Sequence, residues 1–324
     1  MTIPSSGPLS LTDIQTEFGG SNPISLSEYY AGGANVPSGT TGDSGPIPSS
    51  GTISMGQFYG ASNRVAITLT ISADTNGYNI FNNRGGTYVA GLSDVTLVNN
   101  SNIYSTSGVA LDTGTGWTAG DTITIDNNAL IVGHGGDGGA GSSVNSTTAG
   151  AAGGNGGAGS TAFNLQYDIT LDNTGGTISG GSGGGGGGGS SVTLVVPGKG
   201  SDLYYGATGG GGGAGRASAS GGAAGGGLAN NGTIYGSAGN ASSITTLGTG
   251  GSGGSAASGG VTVTAGAGGS GGANTASAGA NGANGVSGNS LGSGGTGGAG
   301  GKAVNLNGNS ITYIATGTIY GAVS

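Results

Sequence analysis

The sequence has no cysteine, little proline and little charge in its 324 residues. The absence of cysteine excludes a disulfide scaffold and a thiolate metal site. Five lysines and arginines stand against thirteen acidic residues, so the basic surface that nucleic-acid binding requires is missing. No stretch approaches the ~18 apolar residues of a membrane-spanning helix, and the first residues lack the basic and apolar regions of a signal peptide. We therefore expect no nucleic-acid partner, no membrane insertion and no cleaved signal peptide.

Glycine, by contrast, is abundant and unevenly distributed. The chain contains 85 glycines, and 63 of them fall within residues 133–301, which carry only six charged residues. Disordered segments usually stay soluble through charge and proline, and both are scarce here. A flexible glycine linker is nevertheless an alternative interpretation. Glycine density divides the chain into four predicted regions, namely 1–62, 63–132, 133–301 and 302–324.

Region 1–62 combines short amphipathic elements with turn-forming residues. Apolar residues spaced three and four apart over 11–18 predict a short helix, with Ser10 or Thr12 as its N-cap and Gly19 as its end. We interpret this region as an N-terminal attachment module, with a disordered arm as the alternative. The residues predicted to form the attachment module are Leu11, Ile14, Phe18, Tyr29, Tyr30, Phe58 and Tyr59.

Alternation of apolar and polar residues marks region 63–132 as β structure. The stretches 65–71, 94–98 and 121–125 alternate with a period of two residues. Asn-Gly, Gly-Gly and Asn-Asn pairs between these stretches are typical of tight turns. We therefore predict a small antiparallel β domain here, and closing strands in region 302–324.

Strand-like pieces also interrupt the glycine runs, and they repeat. The segment ITIDNNALIVGHGGDGGAG at 123–141 aligns with ITLDNTGGTISGGSGGGG at 169–186. A random linker has no reason to carry a repeated unit of strand, turn and glycine run. The repeats therefore indicate a stacked architecture.

The glycine runs themselves predict close packing of backbones. Residues 183–189 are seven consecutive glycines, and glycine occupies every third position from 279 to 300 except at Leu291. A period of three matches the polyproline II geometry, whereas collagen is disfavoured because no proline follows Pro197. The predicted fold class is mainly β and irregular: an N-terminal docking module, the small antiparallel β domain, and a packed bundle of polyglycine II helices linked by loops and short strands.

No stretch carries the pattern of a catalytic, metal or cofactor site. The glycine runs match G-x-G-x-x-G by accident, since no helix-forming segment follows them. His134 is the only histidine and has one acidic neighbour, Asp137. Acidic residues such as Asp126 and Asp172 lie beside asparagine at strand ends, where turn-forming aspartate is common. We therefore expect no enzymatic activity, no cofactor and no metal.

Short polar and aromatic segments between the glycine runs are the candidates for binding. The segment KGSDLYYGATGG at 199–210 would form a loop on a rigid scaffold, where binding usually resides, and tyrosine offers a large and rigid contact area. The segment SSVNSTTA at 142–149 is a second candidate loop. Alternatively, the two tyrosines pack against neighbouring β structure. The candidate binding residues are Lys199, Asp202, Leu203, Tyr204, Tyr205, Arg216, Val144 and Asn145.

The order of these motifs resembles the glycine-rich adhesins of T-even-like tailed bacteriophages. The resemblance rests on the two aligned repeats, on the glycine runs split by short loops, and on the closing segment GGAGGKAVNLNGNSITYIATGTIYGAVS. The opening segment SGPLSLTDIQTEFGG is similar to a module of phage tail and fibre proteins. The resemblance implies a sandwich of polyglycine II helices, receptor-contacting loops at 199–208 and 142–149, and attachment to the fibre through residues 1–60.

We therefore predict a non-enzymatic tail-fibre adhesin that binds a protein or glycan receptor on the bacterial surface. Its second partner would be another tail-fibre or baseplate protein, bound through the N-terminal module. The protein would be made in the host cytoplasm and assembled into the virion. The alternatives are a structural tail or decoration protein without receptor contact, an ice-binding polyglycine II protein and a capsule depolymerase.

Overall fold

The computed structural model describes residues 3–144, 149–195, 203–215, 220–226, 233–243, 246, 248–258, 261–272, 276–288 and 290–324. Two short α-helices occur in these residues, α1 (Leu11–Phe18) and α2 (Ile80–Asn83), with 3-10 helices at Leu26–Glu28 and Met55–Phe58. The strands are β1 (Thr41–Gly42), β2 (Gly45–Pro46), β3 (Val65–Ile71), β4 (Thr75–Asn76), β5 (Tyr78–Asn79), β6 (Ser93–Asn99), β7 (Ile103–Tyr104), β8 (Leu111–Asp112), β9 (Thr122–Asn127), β10 (Leu130–Val132), β11 (Phe163–Asn164), β12 (Ile169–Asp172), β13 (Thr177–Ser179), β14 (Ser191–Val195), β15 (Leu203–Ala207), β16 (Thr233–Ile234), β17 (Ser255–Ser258), β18 (Val261–Thr264), β19 (Ser290–Leu291), β20 (Val304–Asn305), β21 (Ile311–Ala315) and β22 (Thr318–Tyr320).

The chain divides into two compact units that alternate along the sequence. Unit 1 comprises Met1–Leu69, Asn83–Thr96 and Gly116–Thr124. Unit 2 comprises Thr70–Asn82, Leu97–Thr115 and Ile125–Ser324, and it therefore includes the whole glycine-rich region.

Unit 1 has a hydrophobic core of its own. Phe58 is fully buried and meets the rings of Phe18 and Tyr29 edge to face, with centroid distances of 5.9 and 6.3 Å. Helix α1 begins after Ser10, whose side chain accepts a hydrogen bond from the Asp13 amide, and ends at Gly19, as predicted. The N-terminal region is therefore an ordered and packed element, and the disordered-arm alternative is wrong.

The strands β3–β13 and β20–β22 wind in stacked coils, and each of the first four coils contributes one strand to each of three sheets, whereas the fifth contributes one strand to two of them. The sheet orders are β21-β12-β9-β6-β3, β22-β13-β10-β7-β4 and β20-β11-β8-β5, which we call the first, second and third sheets. The coils are thus β3-β4-β5, β6-β7-β8, β9-β10-β11, β12-β13-β20 and β21-β22. Pairing is parallel throughout the second and third sheets and between β12 and β21.

Apolar side chains stack between the coils. Ile131 pairs with Ile103 on one side and with Ile178 on the other, and all three side chains are completely buried. In the third sheet Phe163 lies in the same way between Leu111 and Val304. Each fully buried side chain of this kind contributes roughly 1.5–3 kcal/mol. The predicted stacking of the repeats is confirmed, since β9 and β12 are neighbours in the first sheet.

The predicted antiparallel β domain is wrong. The strands of region 63–132 were located correctly, but each pairs with a strand of another coil. The Asn76-Gly77 pair does not close a hairpin, because it leads from β4 in the second sheet to β5 in the third sheet. Gly77, with φ 68°, supplies the left-handed conformation for this corner.

The predicted bundle of polyglycine II helices is also wrong. The described secondary structure is mainly parallel β-sheet with two short α-helices, and no such bundle is evident in it. The repeated ITIDN and ITLDN segments stack as β-strands because their β-branched residues suit a pleated sheet. The glycine segments are connections between these strands.

Candidate functional site

Two long insertions leave the coils at equivalent corners. One connects β10 to β11 in the third coil, and the other connects β13 to β20 in the fourth coil. Both replace the turn between the second and the third sheet. Because β10 and β13 are neighbours, the two insertions start side by side. Together they carry the segments that the sequence singled out for binding.

Backbone hydrogen bonds join the insertions at every third residue. The segment that follows β10 donates to the segment that follows β13, and the latter donates to the segment that leads back to β11. The bonds run from the amides of Gly136, Gly139 and Ser142 to the carbonyls of Ser182, Gly185 and Gly188, and from the amides of Gly184, Gly187 and Ser190 to the carbonyls of Gly157, Gly154 and Ala151, at 2.8–3.0 Å. The insertions thus extend from the coils as a rigid, mutually bonded unit.

Glycine is required in this unit because the backbones approach very closely. A Cβ atom added to Gly184 would lie 1.9 Å from the Asp137 carbonyl oxygen, and one added to Gly187 would lie 1.9 Å from that of Ala140. Residues 183–189 are all buried. Any side chain in this run would push the neighbouring segments apart and break their hydrogen bonds.

The far ends of the glycine segments meet at one place, which we call the loop end. It comprises the described residues 142–144, 191–195, 203–207, 226, 233–235, 255–264 except 259–260, and 286–291 except 289. The Val144 amide donates to the Gly226 carbonyl at 3.0 Å, and a Cβ added to Gly206 would lie 3.0 Å from Val144 Cγ1. Three chain segments that are distant in sequence therefore converge at Val144.

Short strands complete the loop end. Strands β14 and β15 form an antiparallel hairpin, with β19 beside β14 and β16 beside β15. A second antiparallel hairpin, β17–β18, packs against the first through the buried cluster of Ala207, Val263 and Ala265. Segments 145–148, 196–202, 227–232 and 259–260 are all flanked by residues of the loop end.

Arg216 is flanked by residues of the opposite end. The Gly215 amide donates to the Gly136 carbonyl at 2.7 Å, and the Ser220 amide donates to Asp137 Oδ1 at 2.6 Å. Residues 136 and 137 lie close to β10, where the first insertion leaves the coils. The structure therefore does not bring the flanks of Arg216 together with those of Lys199 and Tyr204.

The candidate binding residues, Arg216 included, fall into three groups. Lys199, Asp202, Asn145 and Arg216 itself lie outside the described residues. The backbone of Leu203, Tyr204 and Tyr205 belongs to β15, so these residues lie in a strand rather than in a loop. Val144 is described completely, and its side chain is only 2% exposed. Val144 therefore packs inside the loop end.

Three exposed apolar side chains at the loop end were missed by the sequence reasoning. Val286 is 65% exposed, Tyr235 59% and Leu291 50%. No described residue of the loop end carries a charge. Exposed apolar groups on a rigid surface commonly mark interaction sites. Two of these positions could have been recognised in the sequence as single large apolar residues among small and polar ones, as in ANGVSG and NSLGSG. No alternating pattern around them predicts a buried strand.

The residues predicted to form the attachment module contribute mostly to the core of unit 1. Ile14, Tyr29 and Phe58 are completely buried, Phe18 is nearly so, and Leu11 packs against them. The hydroxyls of Tyr30 and Tyr59 donate to the carbonyls of Gly51 and Gly7. These side chains therefore hold the module together.

A charged pair in unit 1 lines a groove with a volume of about 790 Å³. Arg64 Nε donates to both carboxylate oxygens of Asp94 at 2.8 Å. Burial would raise the pKa of Asp94, but the hydrogen bonds from Arg64 and Thr122 outweigh burial and lower that pKa. The groove also has Val89 and Thr87 in its wall.

The described residues contain no group of three or more histidine, aspartate or glutamate side chains that could hold a metal ion. Within the same residues, no helix has the length and apolar character to cross a membrane.

Residues 64–324 match the model of a protein family described as phage tail fibre adhesin Gp38. The matched part contains all the stacked coils and the entire glycine-rich region, and residues 1–63 lie outside it. The chain belongs to the Gp38 adhesin family. The predicted family, the predicted role as a tail-fibre adhesin and the predicted location in the tail fibre of the virion are thereby confirmed. Membership in an adhesin family indicates a binding protein.

Comparison with curated proteins gives no match. Among solved structures, the Gp38-family chain is similar to the gp37-gp38 adhesin tip complex of the bacteriophage S16 long tail fibre, with 20% sequence identity and a TM-score of 0.45. The alignment covers 99% of this chain and 100% of that chain.

Proposed function

We propose that this adhesin contacts a receptor on the bacterial surface through its loop end. The observation that carries the proposal is the convergence of chain segments at Val144. Backbone hydrogen bonds and strand pairing bring residues flanking four segments, 145–148, 196–202, 227–232 and 259–260, to the same end of one rigid unit. Loops held by a rigid scaffold are where recognition usually resides.

Within this proposal, Lys199, Asp202, Asn145 and β15 residues Leu203, Tyr204 and Tyr205 are the candidate contact residues. The exposed side chains of Tyr235, Val286 and Leu291 add apolar contact area around them. Val144 has a supporting role, since its side chain is buried against Gly206. Arg216 remains a candidate from the sequence, but its flanking residues lie at the opposite end, which disfavours it.

The part of the receptor contact made by the described loop end is mainly apolar and hydrogen-bonding in character. The described loop end offers serine and threonine hydroxyls and exposed apolar groups but no charge. Attraction between surface charges is screened by salt, whereas apolar contact is not. We therefore expect the contribution of the described loop end to change little with ionic strength, and any salt dependence of receptor binding to come from Lys199 and Asp202. Binding by several copies on one virion would increase the overall affinity further.

The N-terminal module is proposed to attach the adhesin to another tail-fibre or baseplate protein. Its aromatic residues form a packed core, which makes the module rigid enough to present a fixed surface. The buried side chains then support binding only by stabilising the module; they are Ile14, Phe18, Tyr29 and Phe58. Exposed residues around them make the contacts. Leu11, Tyr30 and Tyr59 are partly accessible and are candidates for direct contact.

Adsorption competition tests the receptor proposal. Purified protein is incubated with host cells before phage is added, together with a variant in which residues 196–202 are replaced by a glycine-serine segment of equal length. This replacement keeps β14 and β15 intact. The matched control replaces residues 216–219, whose flanks lie at the opposite end. We expect wild type and control to block adsorption and the 196–202 variant to fail.

Two results would contradict the proposal. If both variants compete like wild type, segment 196–202 makes no receptor contact. If folded wild-type protein binds no host cell and leaves adsorption unchanged, a structural tail protein without receptor contact is the better description.

A further inference from the structure

Strand β3 is the last strand of the first sheet on one side, and its outer edge is open. The Val65 amide donates to the Leu92 carbonyl at 2.7 Å, and the Ile71 carbonyl accepts from the following coil in the same way. Odd-numbered residues of β3 therefore bond towards β6. Since the direction of backbone bonding alternates along a strand, the amides and carbonyls of Ala66 and Thr68 point to the outer edge.

This edge lacks the usual protection. Among the described residues, no strand pairs with the outer side of β3, and no backbone hydrogen bond reaches Ala66 or Thr68 from that side. Both residues are exposed. Strand β3 has seven residues without charge or proline, whereas β4 and β5, which end the other two sheets on this side, have two residues each. Proteins usually shorten, charge or cover such an edge.

The groove that contains Arg64 and Asp94 lies at the start of this edge. Val65 and Ala66 are part of its wall, together with residues of the segments 37–41 and 86–89. All of these residues belong to unit 1. An extended peptide in the groove can therefore pair its backbone with the edge of β3 and place its side chains against both walls.

The charge around the groove is negative. Arg64 is already paired with Asp94. Gly60 is part of the wall, and the Asp43 carboxylate lies against it. The Asp43 side chain is exposed, and no basic side chain of the described residues forms an ion pair with it. Because residues 1–62 contain four acidic residues and no basic one, the groove favours a positively charged occupant.

We infer that an extended, basic segment of the tail-fibre or baseplate protein pairs with the outer edge of β3 and lies in this groove. The inference rests on the proposed attachment through the N-terminal module, and it extends the attachment surface beyond residue 62. Addition of a strand to an open sheet edge is a common mode of peptide recognition. A segment of about seven residues matches the length of β3, and its lysine or arginine pairs with Asp43.

A second copy of this chain is a poorer occupant. Unit 1 has six acidic and two basic residues, namely Asp13, Glu17, Glu28, Asp43, Asp94 and Asp121 against Arg64 and Arg84. Pairing of β3 with β3 of a second copy would bring two negatively charged units together, and like charges across an interface weaken association. A glycan is also disfavoured, because it has no backbone with the regular amides and carbonyls that a strand edge binds.

Cysteine labelling tests whether the edge is covered in the virion, since the natural chain has no cysteine. Thr68→Cys is compared with Thr312→Cys, because both threonines are exposed and lie on the two edge strands of the same sheet. The rate of maleimide labelling is measured in purified protein and in intact virions. We expect Thr68→Cys to react about tenfold slower or more in virions, and Thr312→Cys to react equally. If Thr68→Cys does not assemble, Ala66→Cys replaces it.

Equal labelling of Thr68→Cys in free protein and virions would overturn the inference. Photo-crosslinking then identifies the occupant. A photoreactive residue at position 68 should give one band with another virion protein, and the crosslinked peptide should contain lysine or arginine. A crosslink to a second copy of this chain, or to a peptide without a basic residue, would also overturn the inference.

A photoreactive residue at position 30 separates the groove from the attachment itself, because Tyr30 is a candidate for direct contact of the N-terminal module. A crosslink to another virion protein from position 30 but not from position 68 refutes the groove and leaves the proposed attachment in place. If neither position gives a crosslink, the proposed attachment fails as well.

Substitutions of Asp43 measure the contribution of charge. Asp43→Asn removes the negative charge and Asp43→Lys reverses it. We expect the number of adhesin copies per virion to fall from wild type to Asp43→Asn to Asp43→Lys, with a decrease of about tenfold or more for the lysine variant. The urea midpoint of each purified variant controls for folding. Wild-type copy numbers for Asp43→Lys would contradict a basic occupant.

Discussion

Asn127 Nδ2 donates a hydrogen bond to Asn173 Oδ1 at 2.7 Å, across 46 positions of sequence. The same contact repeats in the preceding coil, where Asn99 Nδ2 donates to Asn127 Oδ1 at 2.7 Å. All three asparagines are completely buried. At the end of the series, Asn173 Nδ2 donates to the backbone carbonyl of Thr316 at 2.7 Å. A ladder of side-chain amides therefore links four successive coils.

The ladder has one unsatisfied atom at its start. Asn99 Oδ1 is buried and has no hydrogen-bond partner. The equivalent position in the first coil is Ile71, whose carbonyl accepts from the Asn100 amide just as the Asn99 carbonyl accepts from the Asn128 amide. Ile71 has no side-chain amide to donate, so the ladder begins at the second coil.

Replacing Asn127 by alanine should strongly destabilise the coils. The variant removes two buried hydrogen bonds and leaves Asn99 Nδ2 and Asn173 Oδ1 without partners, at about 1–3 kcal/mol each. We expect a total loss of roughly 2–6 kcal/mol, measured as a lower urea midpoint. Asn128→Ala is the control, because the Asn128 side chain is exposed and should cost at most ~0.5 kcal/mol. Equal midpoints for the two variants would refute a structural role for the ladder.

A single methyl group at position 184 should disrupt the glycine-rich unit. In Gly184→Ala the new Cβ would lie 1.9 Å from the Asp137 carbonyl oxygen, so the backbones must separate and their hydrogen bonds must lengthen. We expect the free energy of unfolding to fall by more than about 3 kcal/mol, or the protein not to fold. Limited proteolysis and urea denaturation measure this change. In the control Gly226→Ala, the nearest atom within reach is Ser143 Oγ at 3.8 Å, so folding should be normal. A Gly184→Ala protein as stable as the control would contradict the close packing.

The Arg64–Asp94 pair should make unit 1 sensitive to acid. The lowered pKa of Asp94 means that its ionised form contributes stability above the unfolded pKa of about 3.9, and that this stability is lost as pH falls through the lower folded pKa. We expect Asp94→Asn to lower the urea midpoint at pH 7 and to change it less at pH 3. The difference should be small, since Asp94 is 40% exposed and solvent screens the pair. The same difference at both pH values would argue against the ion pair as its origin.

Leu291→Ser should weaken receptor binding without changing stability. Leu291 is half exposed at the loop end, so the substitution removes apolar contact area but little core packing. We expect about tenfold weaker adsorption competition, which corresponds to ~1.4 kcal/mol, with an unchanged denaturation midpoint. Val109→Ser, at an exposed apolar residue of the second coil, serves as the control and should compete like wild type. Wild-type competition by Leu291→Ser would remove this residue from the binding surface.

Much of the local structure could be predicted from the sequence. Helix α1 with its Ser10 cap, and the strands β3, β6, β9 and β12, lie where the residue patterns placed them. These features depend on residues a few positions apart, namely on the spacing of apolar side chains and on capping groups. Pairing direction depends instead on where a turn sends the chain, and the turn at Gly77 leads into another sheet.

The arrangement of the candidate segments in space could not be predicted from the sequence. The candidate segments were recognised from composition. Composition does not predict that the residues flanking Lys199 and Asn145 lie together at the loop end, or that those flanking Arg216 lie at the opposite end. It also gave no indication that Val144 would be buried and Leu291 exposed. Burial depends on contacts such as Val144 with Gly206 and Gly226, which are more than sixty positions away.

The sequence by itself determined the positions of the strands, the scarcity of charge, the need for backbones without side chains in residues 133–301 and the membership in an adhesin family. The tertiary structure alone decided that the strands run parallel in stacked coils and that the insertions share one corner. The physical reason is the range of the interactions. Propensity, capping and turn chemistry act over a few residues, whereas the contacts of Asn127 with Asn173 and of Gly184 with Asp137 join positions 46 and 47 apart.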